Sequence, residues 1–403
     1  MKAISFAAPV PTYLLTLAAG ALSERLFVGP HACTRYGEVP EPELPGGDWV
    51  RVRTRLGGIC GSDLAVVSLV ASPATSPFSS FPFVLGHENV GEVVEVGRDV
   101  RGLAPGDRVV ANPLLACRAR GIAPPCAACA AGEPQRCERF TDGALPPGML
   151  IGTTRGVGGS WGERFVAPAA QLLPVPAGVA DETAVLVEPL ACSIHAVRGS
   201  LPAAGERVLV LGAGSIGLLT VAALRALAPR AEVTALARHR FQAEHAERLG
   251  AARVVMARAG TRALATAAGA RLLAPIVGPP VALGGFDRSY VCVAGRRAME
   301  EALRFTRAGG TVALLGNARS LDRVDWTPLW LKELTLRGSV CYGGGHAGAA
   351  RGDFEEAMRL VVERGATLRP LVTHTFPLAQ HRRALATARD KAGAGSVKVA
   401  FRF

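Results

Sequence analysis

The stretch RVLVLGAGSIGLLTVAALRAL, residues 207–227, decides the fold. Its first six residues are a nearly continuous apolar run ending in glycine, the pattern of a strand buried on both faces of a parallel sheet. From Ser215 to Leu227 the chain is apolar nearly all round, which predicts a helix packed on that sheet. Between them lies GAGSIG. A Gly-rich turn after a strand and before a helix lets backbone N–H groups and the helix N-terminus hold a pyrophosphate. The expected nucleotide contacts are therefore Gly212, Gly214, Ser215, Ile216 and Gly217.

Downstream, EVTALA, ARVVM, YVCVAG, GGTVALLG and LTLRGSV alternate with Ala- and Leu-rich helical segments up to about residue 340. That alternation implies βαβ units and a doubly wound parallel sheet. Upstream, from Trp49 to Gly106, the chain reads as short strands joined at Gly and Pro. Beyond residue 340, Phe354, Ala357, Met358 and Val361 mark a helix, and SVKVAFRF alternates Val397, Val399, Phe401 and Phe403 with polar or small residues. A last strand of period two is expected to rejoin the first domain. The fold class is α/β: a β-rich domain of residues 1–190 and 341–403, with a doubly wound dinucleotide-binding domain of residues 191–340 inserted in it.

At 403 residues, 49% hydrophobic and 19% charged, the chain is long enough for two globular domains. Its net charge of +12 comes from scattered arginines, and aromatics are only 5%. With no block of like charge and no stacking platform, nucleic-acid binding is not expected; an Arg-rich surface that draws anionic ligands is. Residues 1–21 loosely imitate a signal peptide, but Pro9 and Pro11 interrupt the apolar stretch, and Met1 to Phe6 reads as a strand. No run of eighteen apolar residues occurs, so no membrane span and a cytoplasmic location are expected. Nine cysteines, several at metal-ligand spacing, argue for a reducing compartment, with Cys33, Cys192, Cys292 and Cys341 as buried apolar residues.

Three separated motifs each offer a metal ligand: Cys60 in GGICGSD, His87 and Glu88 in LGHENVGE, and Glu188 in LVEPLACSIHA. Thiolate, imidazole and carboxylate together suit Zn²⁺, and a catalytic zinc takes about three protein ligands with one position open. Neighbouring His87 and Glu88 can face one metal only if the backbone turns, which Gly86 permits. Glu188 binds directly or through water. Each residue alone has a plainer reading, as core filler or ion-pair partner, and Asp63 is either a support for a His or Arg or a surface turn residue.

GGICGSD, GHENVGEVVEVG, GDRVV, VEPLACSIHAV and VLVLGAGSIG run in the same order as in the zinc-dependent medium-chain alcohol dehydrogenases, which the chain resembles over nearly its whole length. The carboxylate of VEPL is similar to the polyol, threonine and glucose dehydrogenase branch. The resemblance implies a GroES-like catalytic domain and a Rossmann domain. It also implies an alcohol whose oxygen takes the open zinc position and whose hydride passes to a nicotinamide. Cys60, His87 and Glu88 would hold the metal, with Glu188 a direct or water-mediated ligand and Ser62 at the relay hydroxyl. Ala65 stands where branch members often carry a relay His. Cys126, Cys129 and Cys137 match three ligands of the family's structural zinc lobe, about residues 113–140. The usual fourth position is Ala123, so Cys117 is the candidate. Members are usually homodimers or homotetramers, a state expected here too.

The acid that would grip the ribose 2′-hydroxyl of NAD should end the strand after the Gly-rich loop. EVTALARHR offers Arg238 and Arg240 there instead, and Arg is the residue type for a 2′-phosphate. NADP is therefore expected over NAD. Phe78, Phe81, Phe83 and Trp161 would suit an apolar or aromatic alcohol or aldehyde if they line the site. The competing readings are an NAD-dependent polyol or threonine-type dehydrogenase, a zinc-free reductase and a non-catalytic NADP-binding protein.

Overall fold

The computed structural model describes residues 1–316, 321–344 and 352–403. Of the described residues, one compact unit holds Met1–Glu188, 343–344 and Ala357–Phe403, and the other holds Pro189–Tyr342 and 352–356. Before it first leaves the first unit the chain forms β1 (Lys2–Phe6), β2 (Thr34–Glu38), β3 (Trp49–Gly58), β4 (Phe83–Val84), β5 (Asn89–Val96), β6 (Arg108–Ala111), β7 (Arg164–Pro168) and β8 (Leu172–Pro174). The second unit adds β9 (Arg207–Leu211), β10 (Glu232–Ala237), β11 (Arg253–Met256), β12 (Arg271–Leu273), β13 (Val281–Leu283), β14 (Phe286–Val291), β15 (Thr306–Leu314) and β16 (Thr335–Gly338). β17 (Val372–Pro377) and β18 (Lys398–Arg402) then complete the first unit.

In the first unit a seven-stranded sheet runs β17-β18-β3-β5-β6-β8, with β7 also on β3, beside a three-stranded sheet β2-β1-β4. β3 shows why its sequence makes a two-faced strand. Val50 and Val52 are buried, while Arg51 and Arg53 leave the core and pair across the sheet with Glu95 and Glu92. Such opposite-charge pairs fix register on the exposed face.

In the second unit the sheet order is β11-β10-β9-β14-β15-β16, every neighbouring pair parallel. Val208 to Leu211 in central β9 are buried, and the helix Ser215–Leu227 buries Gly217 through Leu224. This is the doubly wound sheet expected from residues 207–227. β12 and β13 form a separate antiparallel pair.

Two sequence readings change. Pro9 and Pro11 do not break the N-terminal apolar stretch: Pro9 is the N-cap of the helix Val10–Leu22 and Pro11 lies in its first turn. Proline is tolerated there because those N–H groups have no intrahelical acceptor. The last strand is not one-faced either, since β18 sits between β17 and β3 and Lys398, Val399, Ala400 and Phe401 are all buried. No helix of the described residues is long and apolar enough to cross a membrane.

Candidate metal and nucleotide sites

The order β18-β3-β5, with both neighbours antiparallel to β3, brings three chain segments to one end of the sheet. Cys60 follows the end of β3, His87 and Glu88 precede the start of β5, and Lys398 begins β18. One ligand atom each from Cys60, His87 and Glu88 lies within 4.8 Å of the others. Gly86 has φ +93°, which makes the turn that presents the adjacent His87 and Glu88 to one point. A Cβ on Gly58 would meet Glu88 Oε2 at 2.0 Å, so the close approach of β3 to this carboxylate needs glycine.

The surroundings hold each ligand. Asp63 caps the helix Gly61–Val67: its Oδ2 accepts from the Cys60 N–H at 3.0 Å, while Oδ1 lies 3.3 Å from His87 Nδ1. Asp63 is therefore the support for a histidine and not a surface turn residue. Burial works against charge on His87, but Asp63, Cys60 and Glu188 outweigh it and hold the imidazole well above its ordinary pKa. Glu188 is buried on the helix Val187–Gly199, outside the 4.8 Å triad. Burial pushes its carboxyl up to about 7, against the pull of His87 and with a further push from Glu88. Ser62 lies half-buried in the first turn of the helix after Cys60, and Ala65 follows on the same helix.

Two supports were not legible in the sequence. Lys398 donates to both oxygens of Glu88, at 2.5 and 2.7 Å, and to the Ile59 carbonyl at 3.2 Å. The signal was a lysine inside an otherwise apolar terminal strand. Buried Asn89 donates to the carbonyls of His87 and Ala111 and accepts from the Ala111 N–H at 2.7 Å, tying the ligand turn to β6. Trp161 has no exposed surface; it donates Nε1–H to the Gly58 carbonyl and packs edge-on against Phe401. It braces β3 instead of lining a substrate site, and Phe83 is likewise core, whereas Phe78 and Phe81 are partly exposed.

A second cluster unites Cys117, Cys126, Cys129 and Cys137, whose sulfurs all lie within 4.8 Å. Cys117 Sγ is 3.6 Å from Cys137 Sγ, and Cys126 Sγ is 3.9 Å from it. A tetrahedral zinc with Zn–S of about 2.3 Å sets sulfurs about 3.8 Å apart, so the donor set and spacing fit that ion. Of the unassigned cysteines, Cys33 and Cys292 are buried, and Cys192 and Cys341 are half-buried, less enclosed than expected.

In the second unit, Gly212 has φ +96°, and a Cβ on Gly217 would meet the Gly212 carbonyl at 1.7 Å. These two glycines close the turn. Gly214, the N-cap of the helix Ser215–Leu227, makes no side-chain cap bond, and a Cβ there would meet nothing within 4 Å. Ser215 and Ile216 form the first turn of that helix. Arg238 is exposed just after β10, while Arg240 is bound along its own helix to Glu244 at 3.0 Å.

Residues 46–177 match the model for the alcohol dehydrogenase GroES-like domain, and residues 215–363 match that for zinc-binding dehydrogenase. L-idonate 5-dehydrogenase of Vitis vinifera is 30% identical over 353 residues, 87% of each chain. L-galactonate-5-dehydrogenase of Escherichia coli (strain K12) is 31% identical, over 85% of this chain and 87% of its own. A solved structure from Sinorhizobium meliloti 1021, described as a zinc-binding dehydrogenase bound to NADP, superposes with a TM-score of 0.69 at 28% identity, covering 92% of this chain and 95% of that one. The chain thus joins a GroES-like domain to a Rossmann domain, the architecture of nicotinamide-dependent dehydrogenases. It belongs to the zinc-dependent medium-chain alcohol dehydrogenase family.

Proposed function

We propose that this dehydrogenase interconverts an alcohol and its aldehyde or ketone with NADP as the preferred coenzyme. Cys60 and His87 would hold the catalytic zinc, with Glu88 completing the triad and Glu188 joining directly or through water. When bound, zinc supplies Lewis acidity to a substrate oxygen, and the nicotinamide takes or gives the hydride. The observation that carries this reading is the convergence of Cys60, His87 and Glu88 within 4.8 Å.

The chain's own groups have separable tasks. Asp63 fixes the imidazole of His87 from the side away from its ligand nitrogen, which sets its tautomer and orientation. Lys398 donates to both oxygens of buried Glu88 and balances its charge there. Ser62 supplies the hydroxyl that moves a proton to or from the substrate, and with Ala65 in the relay position the next acceptor must lie elsewhere. Gly212, Gly214 and Gly217 keep side chains away from the pyrophosphate, with Ser215 and Ile216 presenting backbone N–H groups.

NADP preference rests on Arg238, an exposed guanidinium just after β10, where an NAD enzyme would carry an acid. The NADP bound by the Sinorhizobium meliloti relative supports the same choice. Relatives named for idonate and galactonate direct the substrate search to hydroxy acids and polyols. The test is a screen of such alcohols and their carbonyl forms, alongside simple alcohols and aldehydes, with both coenzymes at the NADPH absorbance band. Turnover with a higher kcat/KM for NADP supports the proposal; preference for NAD overturns the coenzyme assignment, and turnover with neither overturns the activity.

A further inference from the structure

Arg120 is among the largest side chains in the molecule with no exposed surface. Its Nε donates to the Leu115 carbonyl at 3.0 Å. One terminal nitrogen, Nη1, donates to Asp142 O at 2.6 Å and Leu145 O at 3.0 Å. The other, Nη2, donates to Pro146 O at 2.8 Å and Gly148 O at 2.7 Å. A guanidinium has five N–H donors, and all five are spent on backbone carbonyls. No carboxylate of the described residues is bonded to it.

Those carbonyls bracket the four-cysteine cluster in sequence. Leu115 lies two residues before Cys117, and the segment 142–148 follows Cys137. Arg120 itself belongs to the turn that Cys117 opens, for its N–H donates to the Cys117 carbonyl at 3.1 Å and the Ile122 N–H donates there at 3.0 Å. The return segment presses on the same turn: the Ala144 N–H donates to the Arg120 carbonyl, and a Cβ on Gly143 would lie 2.4 Å from that oxygen.

Cys117 is separated from Cys126 by a connection containing Pro124 and Pro125, so the spacing alone does not aim its sulfur at the other three. We propose that Arg120 is the positioning residue that carries Cys117 into the four-sulfur site, by bolting its turn to the segment beyond Cys137. The proposal rests on the reading of these cysteines as a metal site. Charge favours the same arrangement. Four thiolates around a divalent cation leave two net negative charges, and a buried guanidinium bonded only to neutral carbonyls supplies a nearby positive one. Lysine cannot replace it, because three donors on one nitrogen do not span five carbonyls in a planar fork.

The test uses full-length protein carrying cobalt in place of zinc, read by its thiolate charge-transfer and ligand-field bands, with competition by a chromophoric chelator for affinity. The parent should show a four-thiolate spectrum. Arg120→Met and Arg120→Lys should show the weaker spectrum of three sulfurs, matching Cys117→Ser, with affinity at this site about 10–100-fold lower. Joining Arg120→Met to Cys117→Ser should lose no more affinity than Cys117→Ser alone. If Arg120→Met yields no folded protein, Gly143→Ala, which drives a methyl against the Arg120 carbonyl, should give the same three-sulfur signature. An Arg120 variant that keeps the four-thiolate spectrum and parental affinity, even at a lower Tm, overturns the positioning role. A parent without that spectrum overturns both the metal reading and the proposal.

Discussion

Lys398 and Glu88, 310 residues apart, form a doubly hydrogen-bonded ion pair whose side chains are 3% and 0% exposed. The pair joins the last strand of the chain to the turn that carries His87 and Glu88. Removing one partner of a buried pair leaves an uncompensated charge and costs about 3–5 kcal/mol. Lys398→Met should lose stability of that order in denaturant unfolding, and Lys398→Met with Glu88→Gln should regain most of it. A double variant no more stable than the single one would refute the pairing as the source of the loss.

Asp63 holds His87 and the Cys60 N–H at once. Asp63→Asn keeps the shape of the side chain but loses the charge that favours the ligating orientation of the imidazole. Zinc affinity at the catalytic site should fall about 10–100-fold by chelator competition. NADPH affinity should stay at the parental value.

Arg238→Ala removes the exposed cation after β10. A hydrogen bond to a charged group contributes about 1.5–3 kcal/mol, so kcat/KM for NADP should fall about 10–100-fold while that for NAD stays nearly level. Unchanged NADP preference would remove Arg238 from the coenzyme site.

Gly214 and Gly217 should separate binding from folding. A methyl on Gly217 collides with the Gly212 carbonyl, so Gly217→Ala should destabilise by about 1–3 kcal/mol or more. Gly214→Ala meets nothing in the protein and should leave stability within about 1 kcal/mol, yet weaken NADPH binding by crowding the pyrophosphate. Fluorescence titration and thermal unfolding of the two variants check both halves.

Lys332, in the second unit, gives a pH signature of its own. Burial, with Arg304 nearby, pulls its amine down to about 8 from its usual 10.5. The folded state therefore releases this proton first, and between about pH 8 and 10.5 the unfolded state holds more protons. Stability contributed by this site rises with pH across that window and is absent below it. Relative to Lys332→Met, the parent should gain stability from pH 7 to 10 in paired urea titrations; a constant difference would contradict the shift.

How much of this was legible in sequence follows from where the physical causes lie. Residues 207–227 could be read because their fold is local: an apolar strand, a turn that needs glycine and a helix buried all round from Gly217 to Leu224. The metal triad could be nominated because thiolate, imidazole and carboxylate are rare in such flanks. Lys398, Asn89 and Arg120 could not, since each acts through partners set by strand order or by a loop return. Trp161 misled, because an aromatic beside a Gly turn can brace a strand as readily as line a site. Pro9 and Pro11 misled because a helix start and a helix break carry the same residue.

If Cys60 and His87 hold the metal on which hydride transfer depends, replacing either must remove metal and turnover together. Zinc content, NADPH affinity and turnover should be measured together on Cys60→Ser and His87→Ala. Each variant should lose one zinc per chain and its turnover, with NADPH affinity nearly intact. Either variant turning over substrate near the parental rate after losing that zinc would contradict it.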